Sequence, residues 1–122
     1  MSINYKDIWE TYQSSWKVET TDEKLAIFEK VLDKNAVYQD PLAKTTSWNE
    51  LVAYMLEFHK QIPGGHFITT YFQAHSNQSV AKWNMVAGDG TVVGEGISYV
   101  TYSDTGKLTS MTGFFDVPAA GA

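Results

Sequence analysis

The chain has 122 residues, of which 43% are hydrophobic and 14% aromatic, so it has enough apolar material for the core of one domain. It contains no cysteine, which excludes disulfides, thiolate metal sites and a cysteine nucleophile. The formal net charge is −5, and all nine basic residues are lysines. Because arginine is the usual partner of phosphates and guanine edges, its absence from an acidic chain argues against nucleic-acid binding.

The N-terminal segment MSINYKDIWE is polar and aromatic, without the basic and apolar regions of a signal peptide. No apolar run approaches the roughly 20 residues that span a bilayer. No internal repeat or linker divides residues 1–122. We therefore expect a single cytoplasmic domain that does not bind a membrane.

The N-terminal half predicts three helices. The first is expected over about 4–17, where one face recurs at spacings of three and four residues: Tyr5, Ile8, Trp9, Tyr12 and Trp16. A capping box of Thr20 and Glu23 precedes the second helix, over about 22–32. A second capping box, Ser47 with Glu50, opens the third, which Pro63-Gly64-Gly65 ends.

Strands account for most of the remaining chain. A short strand over 36–39 is stopped by Asp40-Pro41. Four longer strands follow as a meander, with turn signals at Asp89-Gly90 and 103–106, over 66–75, 80–87, 92–102 and 108–115. Helices followed by strands indicate an α+β domain rather than alternating βαβ units. Residues 116–122 are expected to form a loose tail.

One face of this sheet should receive the helices. Alternation places Phe67, Tyr71, Tyr99 and Phe114 on the other face, a large aromatic area to leave in water. We therefore predict a homodimer that forms through this outer face of the sheet.

The order of these elements resembles a known family, on two motifs in particular. These are Tyr38-Gln39-Asp40-Pro41 at the end of the short strand and Gly106-Lys107-Leu108-Thr109-Ser110-Met111 near the last strand. Over about 3–116 the chain is similar to nuclear-transport-factor-2-like (NTF2-like) proteins, and among these to SnoaL-like polyketide cyclases and ketosteroid isomerases. The resemblance implies three helices packed on a curved antiparallel sheet, a cystatin-like or NTF2-like cone-shaped half-barrel around an apolar pocket.

The resemblance also implies roles for individual residues. Asp40 matches the aspartate that acts as general base next to a carbonyl in ketosteroid isomerases. Those enzymes bind the oxyanion with a tyrosine of the first helix and a protonated aspartate of a later strand. An ungapped count places Trp16 and Ser98 at these positions, and each offers a donor, an N–H or an O–H. His66 is the candidate catalytic partner of Asp40, as an acid or hydrogen-bond donor.

The same register predicts which residues face the pocket. His75 should point away from it, because it lies an odd number of residues after His66. Ile68 and Gly113 should point toward it. The predicted ligand-binding residues are Trp16, Tyr54, Phe58, Trp83, Met85, Ser98, Val100, Met111 and Phe115.

Each of these assignments has a structural alternative. Asp40 can simply turn the chain before Pro41 and accept backbone N–H bonds. The aromatic side chains can be core rather than pocket lining. A metal site from Asp40, His59 and His66 matches no standard ligand spacing, and no nucleophile elbow or phosphate-binding loop is present. We expect neither a metal nor a cofactor.

Two functional hypotheses follow from these features. In the first, the chain is an isomerase, cyclase or dehydratase that uses Asp40 as general base on a small, apolar carbonyl or polyketide-like substrate. In the second, the same pocket holds an apolar ligand without chemistry, or the fold serves only dimeric assembly. Whether Asp40 points into a cavity or onto its own loop distinguishes them.

Overall fold

A computed structural model describes residues 3–116 of the chain. Three helices and six strands follow one another in the order α1 (Tyr5–Gln13), α2 (Thr21–Val31), β1 (Leu32–Gln39), β2 (Lys44–Thr45), α3 (Trp48–Gln61), β3 (His66–His75), β4 (Gln78–Val86), β5 (Val92–Tyr102) and β6 (Leu108–Phe114). The α+β organisation predicted from the sequence is confirmed. The predicted tail, apart from Asp116, lies outside the described residues. No described helix is long and apolar enough to cross a membrane.

Both predicted capping boxes begin a helix. The hydroxyl of Thr20 accepts a hydrogen bond from the backbone N–H of Glu23, and the hydroxyl of Ser47 accepts one from Glu50. The first helix is shorter than predicted, because it ends at Gln13 and continues as a 3₁₀ turn, Ser14–Trp16. In that turn the hydroxyls of Ser14 and Ser15 bond back to carbonyl oxygens three residues earlier. Such bonds compete with regular helix and tighten its last turn.

The sheet has the strand order β2-β1-β6-β5-β4-β3. It is mixed rather than wholly antiparallel as predicted, because β1 runs parallel to β6. The two strands are distant in the chain, so no hairpin sets their relative direction. Strand β1 also begins at Leu32, four residues before the predicted start, and its pairing with β6 shifts register between Leu32 and Val37. The residues at the start of this strand are mostly polar, so they lack the apolar alternation by which a strand is recognised in a sequence.

A bulge in β3 changes which side chains face the helices. Thr69 pairs with Trp83 and Tyr71 with Lys82, so Thr70 is an extra residue in the ladder. Phe67 therefore lies on the inner face, and Ile68 is 50% exposed on the outer face. Simple alternation predicted the reverse for both residues, because it assumed an unbroken strand.

The helices are held together by a lysine whose side chain is fully buried. The Nζ of Lys24 donates to the carbonyl oxygens of Ser15, at 2.7 Å, and Val18, at 2.6 Å, and lies 2.9 Å from Nε2 of His59. Burial lowers the pKa of Lys24 to about 8. Burial and the Lys24 charge also lower the pKa of His59, so its imidazole is neutral and accepts this bond. The contacts tie the turn that carries Trp16 to the helix that carries Phe58.

The outer face of the sheet remains apolar and exposed. Its members come from four adjacent strands, and each is at least 38% exposed: Ile68, Tyr71, Val80, Ile97, Tyr99 and Phe114. We call this set the outer patch. Apart from Phe67, the aromatic residues predicted for this face are confirmed there. Lys82 lies among these residues, opposite Tyr71 and Ile97 in the ladder, and its Nζ is 5.7 Å from the centre of the Tyr71 ring. Exposed apolar side chains in this number are typical of an interaction site.

Candidate functional site

A cavity of ≈170 Å³ lies between the helices and the inner face of the sheet. Nine of its lining residues are aromatic: Trp9, Tyr12, Trp16, Tyr38, Tyr54, Phe58, Phe67, Trp83 and Phe115. The remaining lining residues are Gln13, Asp40, Leu42, Glu57, Gln61, Ile62, Met85, Ser98 and Met111. The most exposed of these, Leu42, Glu57 and Gln61, mark its mouth. A mostly apolar cavity with a few polar groups is the usual form of a small-molecule site.

Asp40 reaches this cavity from the turn that joins β1 and β2. Its backbone N–H bonds to the carbonyl oxygen of Ala43, which closes the turn, and Pro41 occupies the position that favours a fixed φ. The carboxylate oxygen Oδ1 accepts from the backbone N–H of Leu42 at 2.8 Å and of Ala43 at 3.0 Å. One carboxylate oxygen thus stabilises the turn, as the structural alternative expected.

The other oxygen of Asp40 belongs to the cavity. Its Oδ2 accepts from the hydroxyl of Tyr38 at 2.5 Å and from that of Tyr54 at 2.8 Å. Burial is the main cause that raises the pKa of both tyrosines, and their contact with the Asp40 carboxylate raises it further. Both phenols are therefore donors at neutral pH, and they hold the carboxylate in a fixed orientation.

Two further hydroxyls in the cavity share one arrangement. The indole N–H of Trp16 donates to the hydroxyl of Tyr12 at 3.1 Å, and that of Trp83 donates to the hydroxyl of Ser98 at 3.0 Å. Within residues 3–116, neither hydroxyl proton has an acceptor, so each is free to donate to a ligand. Burial raises the pKa of Tyr12, and the Asp40 charge adds to this shift, so its proton is retained. A donated hydrogen bond also polarises the hydroxyl that receives it.

Most of the residues predicted to face the pocket line the cavity. They are Asp40, Trp16, Tyr54, Phe58, Trp83, Met85, Ser98, Met111 and Phe115. Val100 does not, because it is fully buried in the core, opposite Met111 in the ladder. Trp16 is present as a wall, but its N–H is engaged by Tyr12 rather than offered to a ligand.

His66 does not line the cavity. It shares the outer side of β3 with Ile68, and its Nδ1 lies 3.1 Å from the carbonyl oxygen of Gly64. Because the bulge at Thr70 inverts the alternation, His75 falls on the same side as His66 rather than on the opposite side. The prediction that His66 faces Asp40 across the pocket was therefore wrong in its geometry.

Sequence reasoning missed nine of the eighteen lining residues, and three of these matter most for the site: Tyr12, Tyr38 and Phe67. Tyr12 was read only as part of a helix face, although it lies one helical turn before Trp16 and so on the same side. Tyr38 precedes Asp40 by two residues, and that spacing alone places the two side chains on one face of a strand. The inward position of Phe67 could not be predicted, because no sequence pattern marks the bulge that turns its side chain toward the cavity.

Gly96 provides the space in which Trp83 reaches Ser98. A Cβ at this position would lie 2.5 Å from Cζ2 of Trp83 and 2.7 Å from the carbonyl oxygen of Phe114. We expect Gly96→Ala to lower the free energy of unfolding by about 1–3 kcal/mol and to change the indole fluorescence, because the ring must move. Urea denaturation followed by fluorescence measures both.

Gly94→Ala is the matched control for this change. It lies two residues earlier on the same strand, and its added Cβ would meet only the Cβ of Met85, at 3.8 Å. We expect it to leave stability within about 1 kcal/mol of the original chain. Equal effects of the two substitutions would contradict the role given to Gly96.

Within residues 3–116 no three His, Asp or Glu side chains form a group that could hold a metal ion. The cavity lining contains two carboxylates, Asp40 and Glu57, and no histidine. The lining side chains themselves offer carboxylate and hydroxyl groups for acid–base and hydrogen-bonding chemistry.

No protein-family model matches the sequence, and no curated protein matches it significantly. Solved structures do match the fold. A proposed isomerase of the SnoaL-like family from Agrobacterium tumefaciens str. C58 superposes with a TM-score of 0.84 at 23% identity, over 93% of this chain and 97% of that one.

Two further structures extend the likeness. A proposed SnoaL-like polyketide cyclase from Jannaschia sp. CCS1 has a TM-score of 0.71 at 13% identity, over 95% of this chain and 90% of that one. An NTF2-like protein of unknown function from Cytophaga hutchinsonii ATCC 33406 has a TM-score of 0.70 at 13% identity, over 95% and 93%. The chain therefore has the fold of NTF2-like and SnoaL-like proteins, as its sequence motifs predicted.

Proposed function

We propose that this NTF2-like chain is an isomerase- or cyclase-type enzyme that moves a proton next to a carbonyl group, with Asp40 as general base. The observation that supports this most directly is the content of the cavity. The Asp40 carboxylate and two hydroxyls with free protons, those of Tyr12 and Ser98, line a single aromatic enclosure. A base together with donors to a developing oxyanion is the set that enolisation requires.

The proposed reaction conserves all atoms. An oxygen of Asp40 takes a proton from the carbon next to the carbonyl, and the C–H electron pair forms a carbon–carbon double bond. The carbonyl electron pair moves onto its oxygen, which accepts hydrogen bonds from Tyr12 and Ser98. The protonated Asp40 then returns the proton to another carbon of the same ligand, which completes an isomerisation without a cofactor.

Asp40 must release one of its four hydrogen bonds before it can take a proton. A carboxylate has about four lone-pair sites, and all four are occupied. Tyr54 is the donor best placed to leave, because it is less enclosed than Tyr38 and comes from α3 rather than from the Asp40 strand. Its freed hydroxyl remains beside the ligand as a third donor.

The role of Tyr12 can be tested with a small substrate. We expect the chain to convert 3-cyclohexen-1-one into the conjugated 2-cyclohexen-1-one, which is followed by its ultraviolet absorbance. In Tyr12→Phe we expect kcat to fall by about 10²–10³-fold, because one donor to the oxyanion is lost while the ring remains.

Tyr5→Phe is the control for this substitution. It makes the same chemical change on the same helix, but the Tyr5 hydroxyl bonds to Asn77 and lies outside the cavity. We expect it to keep the original kcat. Unchanged turnover in Tyr12→Phe, or no acceleration by the original chain, would count against the proposed chemistry.

A non-catalytic binding protein is the second candidate. The observation that favours it is the saturation of Asp40, since a carboxylate with four donors is also what a purely structural turn residue has. In this case the cavity holds an apolar ligand, and Tyr12 and Ser98 only orient it. Ligand binding without turnover would support this reading.

We further propose that two copies of the chain pair through the outer patch. The support is its composition: six large apolar side chains on four adjacent strands are exposed in the isolated chain. The dimer predicted from the sequence would cover them without blocking the cavity, which opens on the opposite side of the sheet.

A further inference from the structure

The size of the cavity limits what it can hold. Its volume of ≈170 Å³ is close to the roughly 150 Å³ of an engineered apolar cavity that binds benzene. Sites for drug-sized ligands span about 300–1,000 Å³. A single six-membered ring with one small substituent matches this volume, whereas two fused rings would extend beyond it through the mouth.

The walls leave little freedom to enlarge the cavity. Phe67 lies at the centre of a chain of ring contacts, with its centroid 5.4 Å from Trp16, 5.2 Å from Phe58 and 4.9 Å from Trp83. Trp16 also contacts Phe58 edge-on at 5.5 Å. Because each ring is supported by at least one other, movement of any one disrupts several contacts.

The charges around the cavity restrict the ligand further. The two carboxylates in the lining are that of Asp40 and that of Glu57, which lies at the mouth and forms an exposed ion pair with Lys60 at 3.6 Å. In the described part of the chain no lysine or histidine lines the cavity, and the chain has no arginine. Inside the cavity, a ligand carboxylate or phosphate would therefore meet the charge of Asp40 without a cationic partner among the lining residues.

Together these features define a ligand class, and we propose that the cavity selects an uncharged single-ring carbonyl compound. The carbonyl oxygen lies toward the free protons of Tyr12 and Ser98, and the ring packs among the aromatic walls. We expect the volume to disfavour fused-ring polyketides and steroids, and the charge of Asp40 to disfavour acids. That the bound ring is a substrate rests on the proposed function; that it binds does not.

Binding of three matched probes tests this class without relying on turnover. The probes are 2-cyclohexen-1-one, its carboxylate counterpart 1-cyclohexene-1-carboxylate, and octalone, an uncharged enone of two fused rings. Titration followed by NMR chemical shifts of the indole N–H groups gives each Kd. We expect the single-ring enone to bind at least about tenfold more tightly than either of the others.

Equal or tighter binding of octalone would overturn the size limit, and equal binding of the carboxylate would overturn the charge limit. If the single-ring enone binds selectively but the matching substrate is not converted, the ligand class stands and the proposed catalysis fails. If the matching substrate is converted but the three probes bind equally well, the proposed catalysis stands and the proposed ligand class fails.

Enlargement of the cavity provides a gain-of-function test. Phe58→Ala removes one ring from the wall, and we expect it to tighten octalone binding by about tenfold relative to the single-ring enone. Phe72→Ala is the control, since it is also a partly buried phenylalanine but does not line the cavity. Met85→Ala tests the same point at another wall position, should Phe58→Ala fold poorly. No gain of octalone binding in folded Phe58→Ala and Met85→Ala would contradict the inference.

Discussion

Asp40→Asn should lower kcat for the isomerisation of 3-cyclohexen-1-one by about 10²–10⁴-fold. An amide cannot accept the proton that a carboxylate takes in general-base catalysis. Measured under conditions where the variant is folded, the initial rate of absorbance change gives this ratio. Binding of 2-cyclohexen-1-one should change far less than kcat, since the aromatic walls remain.

The same substitution should also weaken the fold. An asparagine oxygen can replace only part of the acceptor capacity that Leu42, Ala43, Tyr38 and Tyr54 use, and its NH₂ group would face other donors. We expect a loss of about 1–3 kcal/mol in the free energy of unfolding. Circular dichroism and urea denaturation establish the folded fraction before each rate is interpreted.

Asp33→Asn is a suitable control for both effects. Asp33 also accepts a backbone N–H bond, from Asn35, but it lies at the start of β1 and outside the cavity. It should keep full turnover. If Asp40→Asn were destabilised yet retained the original kcat, Asp40 would be a structural residue and the binding-protein reading would be preferred.

Ile97→Glu should convert a dimer into a monomer. Ile97 is 43% exposed near the middle of the outer patch, on β5 between β4 and β6, beside Phe114. In a symmetric pair the same patch meets itself, so one substitution introduces a carboxylate from each copy into a contact in which Lys82, opposite Ile97 in the ladder, is the neighbouring charge. Light scattering after size exclusion should report a mass near 13.7 kDa instead of twice that value.

The control places the same charge on the helical side of the molecule. Ala26 is an exposed residue of α2, and Ala26→Glu changes the net charge equally without touching the sheet. It should remain dimeric. A monomeric original chain, or a dimer that survives Ile97→Glu, would show that the outer patch does not join two copies.

The main elements could be predicted from the sequence because their signals are local. The capping boxes at Thr20 and Ser47 act over three residues, and the apolar spacing of each helix is read within a few turns. Asp40-Pro41 likewise signals a chain reversal by itself. Together with the motif near the last strand, these local patterns were sufficient for the NTF2-like fold and for half of the cavity-lining residues.

Tertiary structure decided the orientation of individual side chains. The bulge at Thr70 turned Phe67 inward and His66 outward, and it depends on how β3 pairs with β4 rather than on the residues of β3 alone. The parallel pairing of β1 with β6 is likewise set by contacts between distant segments. The alternation of residues along one strand predicts neither the bulge nor the direction of the strand's neighbour.

The hydrogen-bond partners within the site also could not be predicted from the sequence. Asp40 was identified as the central residue, but that its two oxygens divide between the turn and two tyrosines follows from the packing of α3 against β1. The indole N–H groups of Trp16 and Trp83 are both used on neighbouring hydroxyls. The sequence by itself therefore predicted nine of the eighteen residues that line the cavity, because burial patterns within one helix or strand are periodic. Only the tertiary structure decided which polar atoms stay free for a ligand, because hydrogen bonds depend on distances of a few tenths of an ångström between residues far apart in the chain.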